Sequence, residues 1–254
     1  MIPALEDLRL VELGRLILHE AHDEERLTRV RGRIEAESVQ RNPVIVSPFG
    51  EDFLVLDGAH RVHALRGLET RLALVQIVDP PPPAESWAHR LPAARVESLQ
   101  DLTELEVSEN DRHDGWMAEV ETAGERRFSL RSRKSGLPAE VRALWAIQKI
   151  YPKDNEVRRV GSDEAAGHAS GEAIIRYRAF SPEELIEVVR RGTMLPAGIT
   201  RFRVEERVLG VRFPLRSLWS YDAPSRNAEL RSLIEERWRE NRIRRYAEPV
   251  VLFE

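Results

Sequence analysis

The sequence contains no cysteine. This absence excludes disulfide bonds, thiol catalysis and metal sites built from thiolate ligands. No apolar run approaches the roughly 20 residues that a membrane-spanning helix requires, so we expect no membrane segment. The N-terminus also lacks a basic segment followed by an apolar one. That lack argues against a secretory signal peptide, and we therefore expect a cytoplasmic protein.

An overall excess of positive charge is also missing, because the formal net charge is −4. The 254 residues suffice for one large or two modest domains, and 42% of them are hydrophobic, which is enough for a core. Positive charge is concentrated locally, since residues 201–245 carry 12 arginines and seven acidic residues, a net of +5. This segment could form a basic face for DNA. We favour the alternative, a solvated helix with Arg and Glu four residues apart.

Apolar periodicity predicts the order β-α-β-β-α-β for the first 78 residues. The predicted segments are 8–18, 23–37, 43–47, 53–56, 59–68 and 71–78. A run of prolines at 79–83 then interrupts regular structure and predicts a stiff linker.

Helices and strands are both predicted in the remainder of the chain. Residues 87–102 are predicted to be partly helical. The clearest helix start is 181–184, where Ser181 caps, proline takes the first helical position and Glu184 completes a capping box. A long helix is predicted at 227–246 and a last strand at 250–253.

An anion-binding arrangement is predicted within VLDGAHRVHAL, residues 55–65. A strand that ends in Asp57-Gly58 and leads into a helix presents the N–H groups of the first helical turn, and glycine lets a ligand approach closely. His60 and Arg61 add donors, and arginine can bind a phosphate through two hydrogen bonds. Asp57 would repel a bare phosphate but suits a phosphate-bound Mg²⁺. A helix cap with solvated neighbours is equally compatible with this pattern.

Two further clusters carry polar groups at the ends of predicted strands. In LHEAHD, residues 18–23, Glu20 could act as a general base, although a polar turn before a helix explains the same residues. In LPAGITRFR, residues 195–203, a turn is followed by Thr200 and Arg201, which could hold a carboxylate or phosphate. A surface hairpin is the alternative there. Trp87 could line a cleft, but the pattern alone favours a core position.

Together these motifs resemble the fold shared by ParB N-terminal domains and sulfiredoxin. Sulfiredoxin needs a cysteine before the His-Arg pair, where this chain has Ala59, so that activity is excluded. Chromosome-partitioning ParB proteins carry a Gly-Glu-Arg-Arg type motif and a following helix-turn-helix, and neither is evident here. The remaining branch, the free L-serine kinases, fits. The matching blocks are LHEAHDEERLTRVRGRIEAESVQRNPVIV, VLDGAHRVHALRGLE, ESWAHRLP, PAGITRFRVEERVLGVRFPLRSL and RRYAEPVVLFE.

The sequence is most similar to the serine kinases encoded with staphyloferrin B siderophore biosynthesis, which are also described as heme-responsive regulators. The resemblance implies a mixed α/β fold, with a nucleotide-binding domain at 1–90, a second domain at 91–254 and a cleft between them. The implied roles are catalysis for Glu20 and Asp57, nucleotide-phosphate binding for Gly58, Ala59, His60 and Arg61, and substrate binding for Trp87, Thr200, Arg201 and Arg207.

The implied activity is transfer of a nucleotide phosphoryl group to free L-serine, giving O-phospho-L-serine for siderophore or other specialised metabolism. Archaeal members carry DGHHR and TRH motifs, whereas this chain has Ala59 and Phe202, as the siderophore-linked subgroup does. We therefore expect ATP rather than ADP as the donor, with Mg²⁺ near Asp57. The alternative is a DNA- or heme-binding transcriptional regulator, alone or combined with the kinase activity.

Overall fold

The structure is a computed structural model that describes residues 2–109, 115–122, 127–151, 157–161 and 170–248. The helices of the described residues are α1 (Pro3–Glu6), α2 (Glu24–Glu37), α3 (Ala59–Gly67), α4 (Ala93–Val96), α5 (Leu137–Lys149), α6 (Pro182–Arg190), α7 (Leu215–Leu218) and α8 (Ala223–Arg239). The strands are β1 (Leu8–Glu12), β2 (Leu16–Ile17), β3 (Val39–Gln40), β4 (Val44–Phe49), β5 (Asp52–Asp57), β6 (Leu72–Ile77), β7 (Ala84–Pro92), β8 (Leu105–Glu109), β9 (Ala118–Thr122), β10 (Arg127–Ser132), β11 (Arg158–Gly161), β12 (Glu172–Tyr177), β13 (Thr200–Phe202) and β14 (Phe213–Pro214). Short 3₁₀ segments span Leu13–Arg15 and Glu97–Asp101.

The chain divides into two compact units that are each discontinuous in sequence. Unit 1 contains Met1–Leu16, Glu24–Asp79 and Val204–Glu254, and unit 2 contains Ile17–Asp23 and Pro80–Arg203. The sequence instead predicts two continuous domains that meet at residue 90. The difference arises because the C-terminal segment packs with the first strands. Strand β14 pairs with β3, and the Asn227 side chain of α8 hydrogen-bonds both main-chain groups of Leu10 in β1.

Unit 1 is built on a five-stranded sheet with the order β1-β6-β4-β5-β2. Strand β6 lies antiparallel to β1 and parallel to β4, while β4 and β5 form an antiparallel hairpin. The residues of β6 from Leu72 to Gln76 are all buried. A strand covered on both faces shows such a continuous apolar run instead of alternation. Helix α2 packs on α3, which follows β5 directly.

Unit 2 is built on an antiparallel sheet with the order β11-β7-β12-β9-β10-β8, and β13 pairs with the first part of β7. Helix α5 packs against β10 and buries Val141, Leu144 and Ile147. Helix α6 begins at the predicted capping box. The Ser181 side chain accepts from the Glu184 N–H, and the Glu184 side chain accepts from the Ser181 N–H.

The prediction for residues 87–102 was wrong in its first part. Residues 84–92 form strand β7, and only 93–101 contain short helical segments. The mixed α/β class is confirmed, and the elements of the predicted β-α-β-β-α-β order are present in the first 78 residues, with the short α1 before them and the short β3 after α2 as additions. The strand predicted at 250–253 lies outside the described residues. Within the described part of the chain, no helix is both long and apolar enough to cross a membrane.

Candidate functional site

The predicted strand–turn–helix around Asp57 is present in unit 1. Asp57 is the last residue of β5, and α3 begins at Ala59. Between them Gly58 adopts φ 112° and ψ 24°, a backbone conformation that residues with a side chain adopt only under strain. The Gly58 carbonyl accepts the Val62 N–H at 3.0 Å, which starts the helix. The N–H groups of Ala59, His60 and Arg61 are therefore those of a first helical turn, where anions are favoured.

Two arginines converge on the Asp57 carboxylate. Arg207 Nη1 donates to Oδ2 at 2.5 Å, and Arg61 Nη2 lies 3.6 Å from the same oxygen. Burial alone would raise the pKa of Asp57, but the positive charges of Arg61 and Arg207 outweigh it, so the pKa lies below its ordinary value. Asp57 is thus an ionised group that holds two guanidinium groups beside the helix N-terminus.

Gln76 fixes the backbone on both sides of Arg207. This side chain is 2% exposed; its Nε2 donates to the Glu206 carbonyl at 2.8 Å, and its Oε1 accepts the Val208 N–H at 3.0 Å. A buried amide that makes both bonds leaves the intervening residue little freedom. Gln76 therefore presents Arg207 to Asp57. The lone polar residue in the apolar run LALVQI was the signal in the sequence that could have indicated this role.

Acidification is expected to weaken this part of unit 1. Because the folded pKa of Asp57 lies below the ordinary 3.8, the unfolded chain binds more protons in that range, and stability rises with pH. The contribution is complete above the unfolded pKa and is lost as the pH falls through the folded one. In urea unfolding followed by tryptophan fluorescence, the midpoint should fall more steeply for the wild type than for Asp57→Asn below about pH 5. Parallel pH dependences of the two proteins would contradict this assignment.

In unit 2 the Glu20 carboxylate is held by three donors from residues 198–200. Oε1 accepts the N–H and the hydroxyl of Thr200, at 2.5 and 2.6 Å, and Oε2 accepts the Gly198 N–H at 3.0 Å. The Glu20 backbone also forms a parallel bridge to Leu195. A carboxylate offers about four acceptor positions. Among the residues that the structure describes, the named donors fill three of these positions, and the fourth lies on Oε2.

The Thr200 hydroxyl, which donates to Glu20, is itself held by a hydrogen bond to a buried histidine. His19 Nε2 lies 2.8 Å from Thr200 Oγ1, and His19 is 3% exposed. Since a carboxylate only accepts, the Thr200 hydroxyl must give its hydrogen to Glu20. His19 Nε2 therefore carries the hydrogen that Thr200 Oγ1 accepts. The His19 ring also meets Phe202 edge-on at 6.0 Å between centroids, which limits its rotation.

Arg201 and Trp87 form a cation–π pair next to residues 198–200, which bind the Glu20 carboxylate. The Arg201 guanidinium carbon lies 4.5 Å from the centre of the Trp87 ring. Pairing of β13 with β7 brings the two residues together, and the Trp87 N–H donates to the Ile199 carbonyl at 3.0 Å. An arginine over an aromatic face keeps its orientation while its donors project in the guanidinium plane. Trp87 is partly buried and thus serves as a platform for Arg201.

The structure sorts the predicted site residues into two sets. Unit 1 carries Asp57, Gly58, Ala59, His60, Arg61 and Arg207, and unit 2 carries Glu20, Trp87, Thr200 and Arg201. Arg207, predicted to bind substrate together with Thr200 and Arg201, contacts Asp57, and its role in binding substrate stays a prediction. Sequence reasoning missed His19 and Gln76, because the bonds that give them their roles join residues far apart in the chain.

A metal ion would have few protein ligands here. Among the residues that the structure describes, no group of three His, Asp or Glu side chains could hold one. Asp57 offers a single carboxylate, already paired with Arg61 and Arg207. Such a donor set fits a Mg²⁺ that comes with the phosphates of a nucleotide, which commonly uses one or two carboxylates.

Known proteins resemble the chain over most of its length. No protein-family model matches it. It is 26% identical over 216 residues to the ATP-dependent L-serine kinase SbnI of Staphylococcus aureus, a match that covers 84% of each protein. SbnI of S. aureus with a C-terminal truncation superposes with a TM-score of 0.82 at 24% identity, covering 94% of this chain and 100% of the other. A free serine kinase in complex with AMP superposes with a TM-score of 0.66 at 19% identity, covering 84% and 93%.

At these identities the solved structures establish the fold. The chain is similar in sequence to the staphylococcal serine kinase and has the fold of the free serine kinases, so the resemblance predicted from its motifs is confirmed.

Proposed function

We propose that this protein is a free L-serine kinase that forms O-phospho-L-serine, with ATP preferred over ADP as the phosphoryl donor. The observation that carries the proposal is the Glu20 carboxylate, held by three donors with one acceptor position left on Oε2. The similarity to an ATP-dependent L-serine kinase supports the same reaction. O-phosphoserine made in this way would supply siderophore or other specialised metabolism in the cytoplasm.

The nucleotide is assigned to the turn that opens α3. Its phosphates would accept from the N–H groups of residues 59–61, where the helix dipole favours negative charge. His60 and Arg61 would add side-chain donors, and a guanidinium can bind two phosphate oxygens at once. Arg207 supplies a second positive charge beside Asp57. Since phosphoryl transfer depends mainly on positioning and charge neutralisation, this set suits the donor.

The substrate L-serine is assigned to the predicted site residues of unit 2, which include Glu20, Thr200 and Arg201. The Arg201 guanidinium, oriented by Trp87, would bind the serine carboxylate, and the predicted role of Thr200 in binding serine remains part of the proposal. Glu20 would accept the hydroxyl proton at Oε2. A serine hydroxyl is far too weak an acid to ionise unaided, so a positioned base is expected to contribute roughly 10²- to 10⁴-fold.

The reaction balances with these groups. The serine oxygen forms a bond to the terminal phosphorus while the bond from that phosphorus to the bridging oxygen breaks. The hydroxyl proton moves to Glu20, and the nucleotide leaves with one phosphate fewer. A bound Mg²⁺ would neutralise phosphate charge, with Asp57 as its protein ligand.

The alternative of a DNA- or heme-binding regulator is not favoured. At least six of the 12 arginines of segment 201–245 pair with acidic side chains, although the pairs on and after α8 join residues three and two positions apart and not the predicted four. Arg226 pairs with Glu229 at 2.6 Å, and Arg242 pairs with Glu240 at 3.0 Å. Such pairs reduce the positive potential that non-specific DNA binding requires.

Incubation of the purified protein with L-serine, Mg²⁺ and either ATP or ADP tests the proposal. We expect ³¹P NMR to show O-phosphoserine, with faster formation from ATP. D-serine and a reaction without amino acid serve as controls. Absence of phosphoserine with both nucleotides would overturn the proposed function.

A further inference from the structure

The turn that binds the Glu20 carboxylate is itself held in place by hydrogen bonds to its backbone carbonyls. Five backbone carbonyls between residues 194 and 199 accept hydrogen bonds from groups of α5, β7 and the segment around Glu20. The bonds are Trp145 Nε1 to Met194 at 2.9 Å, Ala21 N to Leu195 at 2.9 Å, Gln148 Nε2 to Ala197 at 3.0 Å, His89 Nε2 to Gly198 at 2.8 Å and Trp87 N to Ile199 at 3.0 Å. The turn is therefore set by its surroundings before any substrate binds.

Among these anchors, His89 binds the residue with the most backbone freedom. Gly198 has φ 76°, in the left-handed region that glycine adopts without strain. Its N–H binds Glu20, and the peptide that follows leads to Thr200, the other residue bound to Glu20. Rotation about the Gly198 backbone would separate these donors. A bond to the Gly198 carbonyl is the interaction best placed to prevent that rotation.

The hydrogen-bond direction at His89 follows from chemistry. His89 is 1% exposed, and a carbonyl only accepts, so Nε2 carries the hydrogen. In a neutral ring Nδ1 is then an acceptor, and it receives the Tyr151 hydroxyl at 2.7 Å. The Tyr151 oxygen in turn accepts the hydroxyl of Tyr177. Every member of this hydrogen-bonded series has a defined role as donor or acceptor, which fixes both the orientation of the His89 ring and its tautomer.

His89 stays neutral at physiological pH. Burial lowers the pKa of its imidazole to about 3, and the nearby charge of Arg159 acts in the same direction. The tautomer that donates to Gly198 therefore persists over the pH range in which the protein would work. The side chain acts as a fixed donor and not as a proton carrier.

We propose that His89 is a positioning residue for Glu20: by fixing the Gly198 carbonyl, it holds the N–H groups of Gly198 and Thr200 towards the carboxylate. This inference rests on the proposed function. The effect of His89 on the order of residues 198–200 can also be measured without enzymatic activity.

The test compares His89→Gln with His89→Leu in the full-length protein. The Gln amide nitrogen can replace Nε2 as donor to Gly198, whereas leucine fills similar space without a donor. We expect His89→Leu to lower kcat for phosphoserine formation about tenfold, as expected for one lost buried hydrogen bond. KM for ATP should stay unchanged, and His89→Gln should recover most of kcat. Tyr151→Phe should have a smaller effect, since the ring nitrogen that binds Gly198 keeps its hydrogen.

Amide hydrogen exchange at Gly198 and Thr200 provides the readout that does not depend on activity. Exchange should accelerate in His89→Leu and remain slow in His89→Gln. Equal exchange in all three proteins, or an active wild type with unchanged kcat in His89→Leu, would overturn the positioning role. A kcat loss that is the same in both variants and follows their thermal unfolding would overturn it as well. A wild type without phosphoserine formation would instead refute the proposed function, and the exchange data would still decide the role of His89.

Discussion

Replacement of Glu20 by glutamine is expected to lower the rate of phosphoserine formation by roughly 10²- to 10⁴-fold. Glutamine keeps the shape of the side chain but cannot accept the serine proton. Its amide nitrogen would also face a donor, the N–H of Gly198 or of Thr200, at a position where the carboxylate accepts. ATP affinity should remain at the wild-type value, because the groups assigned to the phosphates are those of residues 58–61, and Glu20 is assigned to the serine hydroxyl. Initial rates by ³¹P NMR at saturating serine and ATP, with calorimetric ATP titration, measure both effects.

Glu187→Gln is the matched control. Glu187 is an exposed glutamate of the same unit that pairs with Arg191 at 2.6 Å on the surface of α6. The same change of chemistry there should leave the rate unaltered, since exposed pairs contribute little. A Glu20→Gln protein with wild-type turnover would refute the assignment of Glu20 as the base.

Gly58→Ala is expected to weaken ATP binding roughly 10- to 100-fold, the range for one or two lost bonds to a charged group. A Cβ at this position would lie 2.9 Å from both Nε and Nη2 of Arg61. The flexible end of Arg61 can move aside, so the steric cost to folding is small. The move, however, displaces the guanidinium from Asp57 and from the phosphates assigned to it. The strain of φ 112° adds a loss of thermal stability that is independent of the nucleotide.

Gly32→Ala is the matched control, which shows whether a glycine-to-alanine substitution elsewhere in unit 1 also changes ATP affinity or thermal stability. Gly32 lies within helix α2, where a Cβ would meet no atom within 4 Å. Alanine is expected to stabilise that helix by up to about 1 kcal/mol without changing ATP affinity. Calorimetric ATP titration and thermal unfolding of both variants provide the comparison. Unchanged ATP affinity in Gly58→Ala would show that the turn before α3 does not hold the nucleotide.

Local sequence signals correctly predicted elements of both units. The turn at Asp57-Gly58 requires a positive φ, and the glycine in the sequence indicates such a conformation. The helix after it was predicted from the apolar spacing of Val62 and Leu65. The capping box at Ser181 and Glu184 likewise depends on residues three apart. Such interactions are encoded within one turn of chain, so a sequence pattern can identify them.

Strand β7 shows where periodicity fails. Ser86, Ala88, His89 and Leu91 are all buried, so no alternation marks the segment as a strand. The reason is tertiary, because the adjacent residues Ala88 and His89 point to opposite faces of the sheet and both are buried. A strand with buried residues on both faces loses the alternation of apolar and polar positions, and the remaining apolar spacing is equally compatible with a helix.

By itself the sequence determined the mixed α/β class, the strand–glycine–helix turn assigned to phosphates, and the motifs that resemble free serine kinases. Only the tertiary structure decided which groups act on one another. Thr200 reaches Glu20 across 180 positions, His89 reaches Gly198 across 109, and Arg207 reaches Asp57 across 150. The physical reason is that each bond depends on how segments far apart in the chain pack together. Side-chain spacing along a single strand or helix carries no information about that packing.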